Sequence, residues 1–200
     1  DEIKELVQLI QKSSNSCLEL IRELLETNFD QQQDLNKEAI DIDELLEQCI
    51  HLLSFRAKDK DQELLLNTDL HVTIQADKEK ILRALNNLIV NAMKFSPSGS
   101  EISVDAMRSE SGIIISVKDT GMGIPISLQD KIFDPFTTAQ RNGTLGEQPF
   151  GLGLYITKQI IEAHHGKIWF TTERGNGTTF YIELPLAETG DQISLSPDKN

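Results

Sequence analysis

Between Asp41 and Leu186 the hydrophobic period switches repeatedly, and twice two strand-like runs stand side by side. "EISVDAMR" (101–108) and "GIIISVKD" (112–119) alternate with a period of two and meet through residues 109–112. "KIWFTTE" (167–173) and "TTFYIELP" (178–185) repeat the arrangement around residues 174–177. Alternating runs joined by a turn specify antiparallel hairpins. Helix-period segments surround them: one from Ile42 to about Lys58, one opened by Asp77 as N-cap, and one over 154–164. Short strands are predicted at 63–67 and 72–75. Hairpins plus helices with no recurring βαβ unit limit the fold to an α+β class, a two-layer α/β sandwich.

The flanks read differently. Residues 1–29 carry a seam of Ile3, Val7, Ile10, Ser14, Cys17, Ile21 and Leu24, in steps of four and three. A second stripe through Leu6, Leu9, Ser13, Leu20 and Leu25 widens that face, so a long helix is expected to bury it against partners. The polar stretch 28–40 reads as a linker, and the tail from Ala187 has the composition of a disordered segment. The expected domains are therefore 1–40, 41–186 and a tail over 187–200. The chain begins inside a helical pattern, as a piece of a longer protein would.

Composition removes several function classes. A net charge of −13 argues against a nucleic-acid surface, which needs clustered Lys and Arg. The first fifty residues alone hold 13 Asp and Glu against 4 Lys and Arg. Two cysteines, Cys17 and Cys49, are too few for a disulfide framework or a thiolate metal site, and read as reduced core thiols of a cytosolic chain. No apolar run approaches the roughly 18 residues of a membrane span.

The segment "NNLIVNAMKFS" (86–96) is unusual for a helix, because Asn competes for backbone hydrogen bonds. At about 100° per residue, Asn87, Asn91 and Lys94 form one narrow polar stripe. Ile81, Leu85, Leu88, Ile89 and Ala92 cover the opposite side. Such a stripe either faces solvent or serves a hard cation and its phosphates. An amide oxygen can ligate Mg²⁺ without adding charge, and a Lys one turn on can neutralise phosphate. Two glycine clusters follow. "DTGMGIP" (119–125) leaves a strand with Asp119 at its end, either as a simple turn or as a wall against a ligand's amino group. "FGLGLYI" (150–156) opens a helix whose unhindered amides suit an anion. Between them "IFDPFTTAQRNGTLGEQP" (132–149) is patternless enough for a lid, in which Arg141 is either solvated or within reach of a phosphate.

In this order the segments resemble the catalytic and ATP-binding domain of sensor histidine kinases, within the GHKL or Bergerat ATPase fold. The resemblance runs from "NNLIVNAMKFS" through "DTGMGIP", "IFDPF" and "GLGLYI" to "GNGTTFYIELP", and covers about residues 41–186. It implies a mixed sheet of about five strands on three helices, preceded by one long helix. It implies ATP and Mg²⁺ as ligands, with Asn91 on the metal and Lys94 on phosphate. Asp119 resembles the carboxylate that reads the adenine amino group, with Gly121, Gly123 and Ile124 at that wall. Gly151, Leu152, Gly153 and Leu154 would close on the phosphates. Thr178 or Thr179 would support the adenine side through water, and Phe133 and Phe136 would anchor the lid.

Asn87 stands where related ATPases of the gyrase, MutL and heat-shock chaperone types carry a general-base Glu. An amide cannot serve as a base near neutral pH. The resemblance therefore implies phosphoryl transfer to a histidine over hydrolysis, with Asn87, Asn91 and Lys94 as the catalytic set. Residues 1–29 resemble the second helix of the dimerisation and phosphotransfer hairpin. None of His51, His71, His164 and His165 has an acidic neighbour followed by Pro four residues on, so the acceptor is expected elsewhere. The implied partners are that hairpin, a response-regulator receiver domain and a second copy of the full-length kinase. The implied place is the cytoplasm, with the full-length protein free to be tethered at the inner membrane. A nucleotide-sensing pseudokinase and a GHKL ATPase are the alternatives.

Overall fold

Asp41 and Asp77 end extended chain and start helices, each by accepting a backbone N–H three residues on, from Glu44 and Lys80 respectively. The helices they cap are α1 (Ile42–Lys58) and α2 (Lys78–Phe95). The computed structural model describes residues 35–136 and 151–186, with Val7 in addition. The predicted N-terminal helix, most of the linker, Cys17, the lid beyond Phe136 with Arg141, and the tail lie outside the described residues.

Strands β1 (Glu38–Asp41), β2 (Glu63–Asn67), β3 (Thr73–Ala76), β4 (Glu101–Arg108), β5 (Gly112–Lys118), β6 (Lys167–Glu173) and β7 (Gly177–Pro185) divide between two sheets. The larger has five strands in the order β2-β4-β5-β7-β6. Only β2 and β4 pair in parallel, because α2 lies between them in sequence and carries the crossover. The other pairs are antiparallel, and both predicted hairpins form in register. This is the predicted mixed five-stranded sheet of an α+β fold.

One face of that sheet supplies Ile102, Val104, Ile113, Ile115, Val117, Phe180, Ile182 and Leu184 to the core. Ile81, Ala84, Leu85, Leu88, Ile89, Ala92 and Met93 of α2 pack with them in one cluster, as the apolar back of the Asn helix requires. Each large side chain buried this way contributes about 2 kcal/mol. Cys49 of α1 is in the same core, and burial pushes its thiol up to about 12, so it is an inert thiol. Trp169 and Tyr181 stack at 5.3 Å between centroids, at alternate positions from the buried Phe180 and Ile182.

Four local readings change. The expected linker contains β1, whose residues 38–41 pair antiparallel with 76–73, so pairing begins three residues before Asp41. Its sequence, Glu-Ala-Ile-Asp, buries only Ile40 and so shows no apolar alternation. β3 joins this two-stranded sheet, one residue later than predicted. A short helix α3 (Ile126–Gln129) interrupts the segment after the first glycine cluster, and α4 spans Gly153–Ala163.

The four histidines have no catalytic setting. His51, His71 and His165 are exposed. His164 is 3% exposed, accepts the Asp77 N–H at Nε2 (2.9 Å) and donates from Nδ1 to the Ile160 carbonyl (2.8 Å). That pairing requires the neutral ring, and burial lowers its pKa accordingly. Asp77 also accepts the Asn36 N–H, so His164 ties the end of α4 to the entry of the domain. His165 sits at φ 60, a left-handed backbone conformation in which a side chain costs about 1 kcal/mol.

Candidate functional site

The polar stripe of α2 faces the start of α4. Asn87 Nδ2 donates to the Gly153 carbonyl at 3.3 Å and lies 3.5 Å from Thr157 Oγ1. Thr157 itself donates back to the same carbonyl at 2.8 Å. Asn87 is thus a tie between two helices as well as a member of the stripe. A carboxylate at this position would set an acceptor against an acceptor. Asn91, one turn on and partly buried, makes no side-chain hydrogen bond among the described residues, so its amide oxygen is available. Lys94 lies one turn further, with Nζ 5.8 Å from the Phe95 ring centroid. Asn86, off the stripe, is partly buried, with its Oδ1 buried and without a hydrogen-bond partner among the described residues.

The end of α2 meets the exit of β5. A Cβ on Gly121 would stand 2.4 Å from the Phe95 carbonyl oxygen, so only glycine allows this approach. Asp119, 5% exposed, accepts the N–H groups of Gly121 (2.8 Å) and Thr178 (3.2 Å) on one oxygen, Oδ1. Burial raises its pKa, and these two donors work against that rise. Oδ2 receives no donor among the described residues. A carboxylate held rigidly by backbone, with one oxygen left, is a precise acceptor for a ligand's amino group.

Three further residues complete this wall. Gly123 (φ 66) passes against the Glu173 carbonyl, and Ile124 donates its N–H to Thr172 Oγ1 at 2.9 Å. Thr172 Oγ1 lies 3.0 Å from Thr178 Oγ1 and donates to the Gly177 carbonyl at 3.0 Å. Thr178 is therefore the threonine on the Asp119 side. Thr179 takes the alternate position of β7, paired with Lys118, and is only partly buried. Sequence reading missed Thr172, although the register of a tight hairpin, Glu173 against Gly177, places it opposite Thr178.

At the other end of the stripe, Gly151 has φ 75, a conformation that needs glycine. Gly153 differs: a Cβ there would make ordinary contact with Asn87 at 3.7 Å. Leu152 is buried and stands at the N-cap of α4, where no side chain caps the helix among the described residues. The first N–H groups of α4 thus have no side-chain cap among the described residues, where Gly153 stands beside Asn87 and next to partly buried Leu154. Phe133 packs into the domain, with ring centroids 6.1 Å from Phe170 and 6.5 Å from Phe180. Phe136 is 58% exposed at φ 54, and the lid that both were expected to anchor lies outside the described residues.

A single partly buried amide would be the protein's contribution to a magnesium ion here. No cluster of three His, Cys, Asp or Glu side chains stands ready for a metal among the described residues. That donor set fits a Mg²⁺ that arrives on phosphate oxygens.

Residues 76–188 match the model of the histidine kinase-, DNA gyrase B-, and HSP90-like ATPase family. The chain belongs to this family. Within it, the likeness is to sensor histidine kinases. Sensor protein kinase WalK of Staphylococcus aureus is 31% identical over 195 residues, covering 94% of this chain and 46% of that protein. The chain thus spans less than half the length of the curated relatives it matches. The nucleotide-free catalytic domain of histidine kinase ThkA superposes with a TM-score of 0.66 at 30% identity, over 75% of this chain and 95% of that one. Full-length ShkA in complex with AMPPNP gives 0.77 at 29%, over 92% and 39%. ThkA in complex with the response regulator TrrA gives 0.71 at 27%, over 86% and 48%. No described helix is long and apolar enough to cross a membrane.

Proposed function

We propose that this chain is the ATP-binding catalytic region of a sensor histidine kinase. It holds ATP·Mg²⁺ between α2, α4 and the exit of β5. The γ-phosphoryl group passes to a histidine on a dimerisation hairpin, for relay to a response-regulator aspartate. The observation that carries the reading is Asn87, an amide whose Nδ2 is engaged with the Gly153 carbonyl. Position 87 offers no base to a water molecule, so attack falls to an imidazole brought from outside. In that step the imidazole nitrogen bonds to the γ-phosphorus, the bond to the ADP oxygen breaks, and ADP leaves.

The chain's own residues position and neutralise. Asp119 takes the adenine amino group on Oδ2, with Gly121, Gly123, Ile124 and Thr178 forming the wall. Lys94, Arg141 and the amides of residues 151–154 meet the phosphates, and Asn91 is the protein ligand of Mg²⁺. The metal supplies charge neutralisation on phosphate oxygens. Phosphoryl transfer asks little else of a protein. ShkA with AMPPNP and ThkA with TrrA support the nucleotide and the receiver domain as partners. The kinase would act as a homodimer on the cytoplasmic side, with residues 1–29 as a hairpin helix and a linker that ends before β1 at Glu38.

Asn91→Ala is expected to remove the magnesium-dependent part of ATP affinity. Calorimetric titrations with and without Mg²⁺ should differ clearly for the parent chain and coincide for the variant. A variant that keeps the full magnesium effect removes Asn91 from the metal.

A further inference from the structure

Two polar side chains just beyond α1 reach across to the far end of the Asn helix. Lys60 is 8% exposed, and its Nζ donates to the Met93 carbonyl at 2.8 Å and the Lys94 carbonyl at 3.3 Å. Gln62 is 4% exposed, and its Nε2 lies 3.0 Å from the Met93 carbonyl, 3.2 Å from that of Ser96 and 3.0 Å from that of Pro97. Burying a lysine ammonium costs several kcal/mol unless its donors find acceptors. A core hydrophobe would fill the space without that cost. The last carbonyls of a helix carry its negative dipole end and lack intrahelical partners, so they are the acceptors a buried cation needs.

The helix end so held belongs to the site. Met93 and Lys94 stand two and three residues after Asn91, and the next carbonyl, Phe95, is the surface against which Gly121 of the adenine wall packs. Turning the end of α2 would move Lys94 and the Asp119 loop relative to each other. The backbone on the Lys60 side is fixed independently, because its N–H and that of Gln62 both donate to the Ala57 carbonyl at the end of α1. Between them, Asp61 takes φ 53 to make the turn. The clamp thus transmits the position of α1 to the Lys94 end of the stripe.

We infer that Lys60 is a positioning residue for nucleotide binding: by holding the Met93 and Lys94 carbonyls it fixes where the Lys94 ammonium meets phosphate. This rests on the nucleotide reading above. The test is a double-mutant cycle on ATP·Mg²⁺ affinity, using Lys60→Met, Lys94→Ala and the pair. Lys60→Met should weaken binding about tenfold in the parent chain and less than about twofold once Lys94 is Ala. Lys60→Gln, which keeps a donor without the charge, should fall between. A residue that only stabilises the fold would weaken both backgrounds alike.

Equal losses in the two backgrounds, or no loss in the parent, overturn the inference while leaving the nucleotide reading standing. A parent chain that binds no ATP·Mg²⁺ overturns both. If Lys60→Met does not fold, the same cycle run with Lys60→Gln decides: coupling to Lys94 supports positioning, and its absence overturns it.

Discussion

Asp119→Asn should leave the fold intact and lower affinity for adenine nucleotides at least about a hundredfold, because it inverts the polarity of the one group left to read the base. The two backbone donors, Gly121 and Thr178, will keep an oxygen at the Oδ1 position. The amide NH₂ then occupies the place of Oδ2, and a donor faces the amino group of adenine. Stability moves the other way. Burial raises the folded pKa of Asp119, so its contribution is present below the unfolded value of about 3.9 and is lost as pH rises through the folded value. At neutral pH the ionised carboxylate therefore costs the fold something, and the Asn variant should melt at the parent's temperature or slightly above. Calorimetric titration beside a thermal melt checks both halves. A less than threefold change in affinity with the fold intact would remove Asp119 from base recognition.

Gly177→Ala should destabilise the protein by about 3 kcal/mol or more and take the site with it. Gly177 has φ 95, where an alanine is strained, and its Cβ would stand 2.0 Å from the Asp119 carbonyl oxygen. Asp119 cannot retreat without loss. Its N–H donates to the Thr178 carbonyl at 2.9 Å, and its carboxylate holds two further N–H groups. The hairpin turn 174–177 and the adenine wall are consequently one unit, and nucleotide should rescue little of the lost stability. Denaturant unfolding of both chains measures the difference. A loss under about 1 kcal/mol would show that the two strands separate more easily than their hydrogen bonds imply.

Much of this was legible in the residues because local patterns and the final packing agree. Period-two runs around short turns became β4–β5 and β6–β7, and the apolar back of the Asn helix became the layer against the sheet. The candidate site was read from side-chain types that are poor choices for structure, above all Asn91, whose side chain makes no hydrogen bond among the described residues. What stayed hidden depends on partners distant in sequence. β1 looks like linker because its neighbour, β3, lies over thirty residues away and only Ile40 needs burial. Lys60 and Gln62 stand in the charged run "AKDKDQE", where nothing local says that α2 will end beside them. Phe133 and Phe136, paired by the resemblance, part in the structure: Phe133 packs on Phe170, and Phe136 is exposed.

A site that holds ATP for an outside imidazole is tested by giving γ-labelled ATP and Mg²⁺ to this chain together with a separately supplied acceptor-helix hairpin of its own kinase. Acid-labile, base-stable label is expected on the hairpin histidine, with little free phosphate from the chain alone. Nucleotide bound without transfer, or label appearing only as free phosphate, would contradict it.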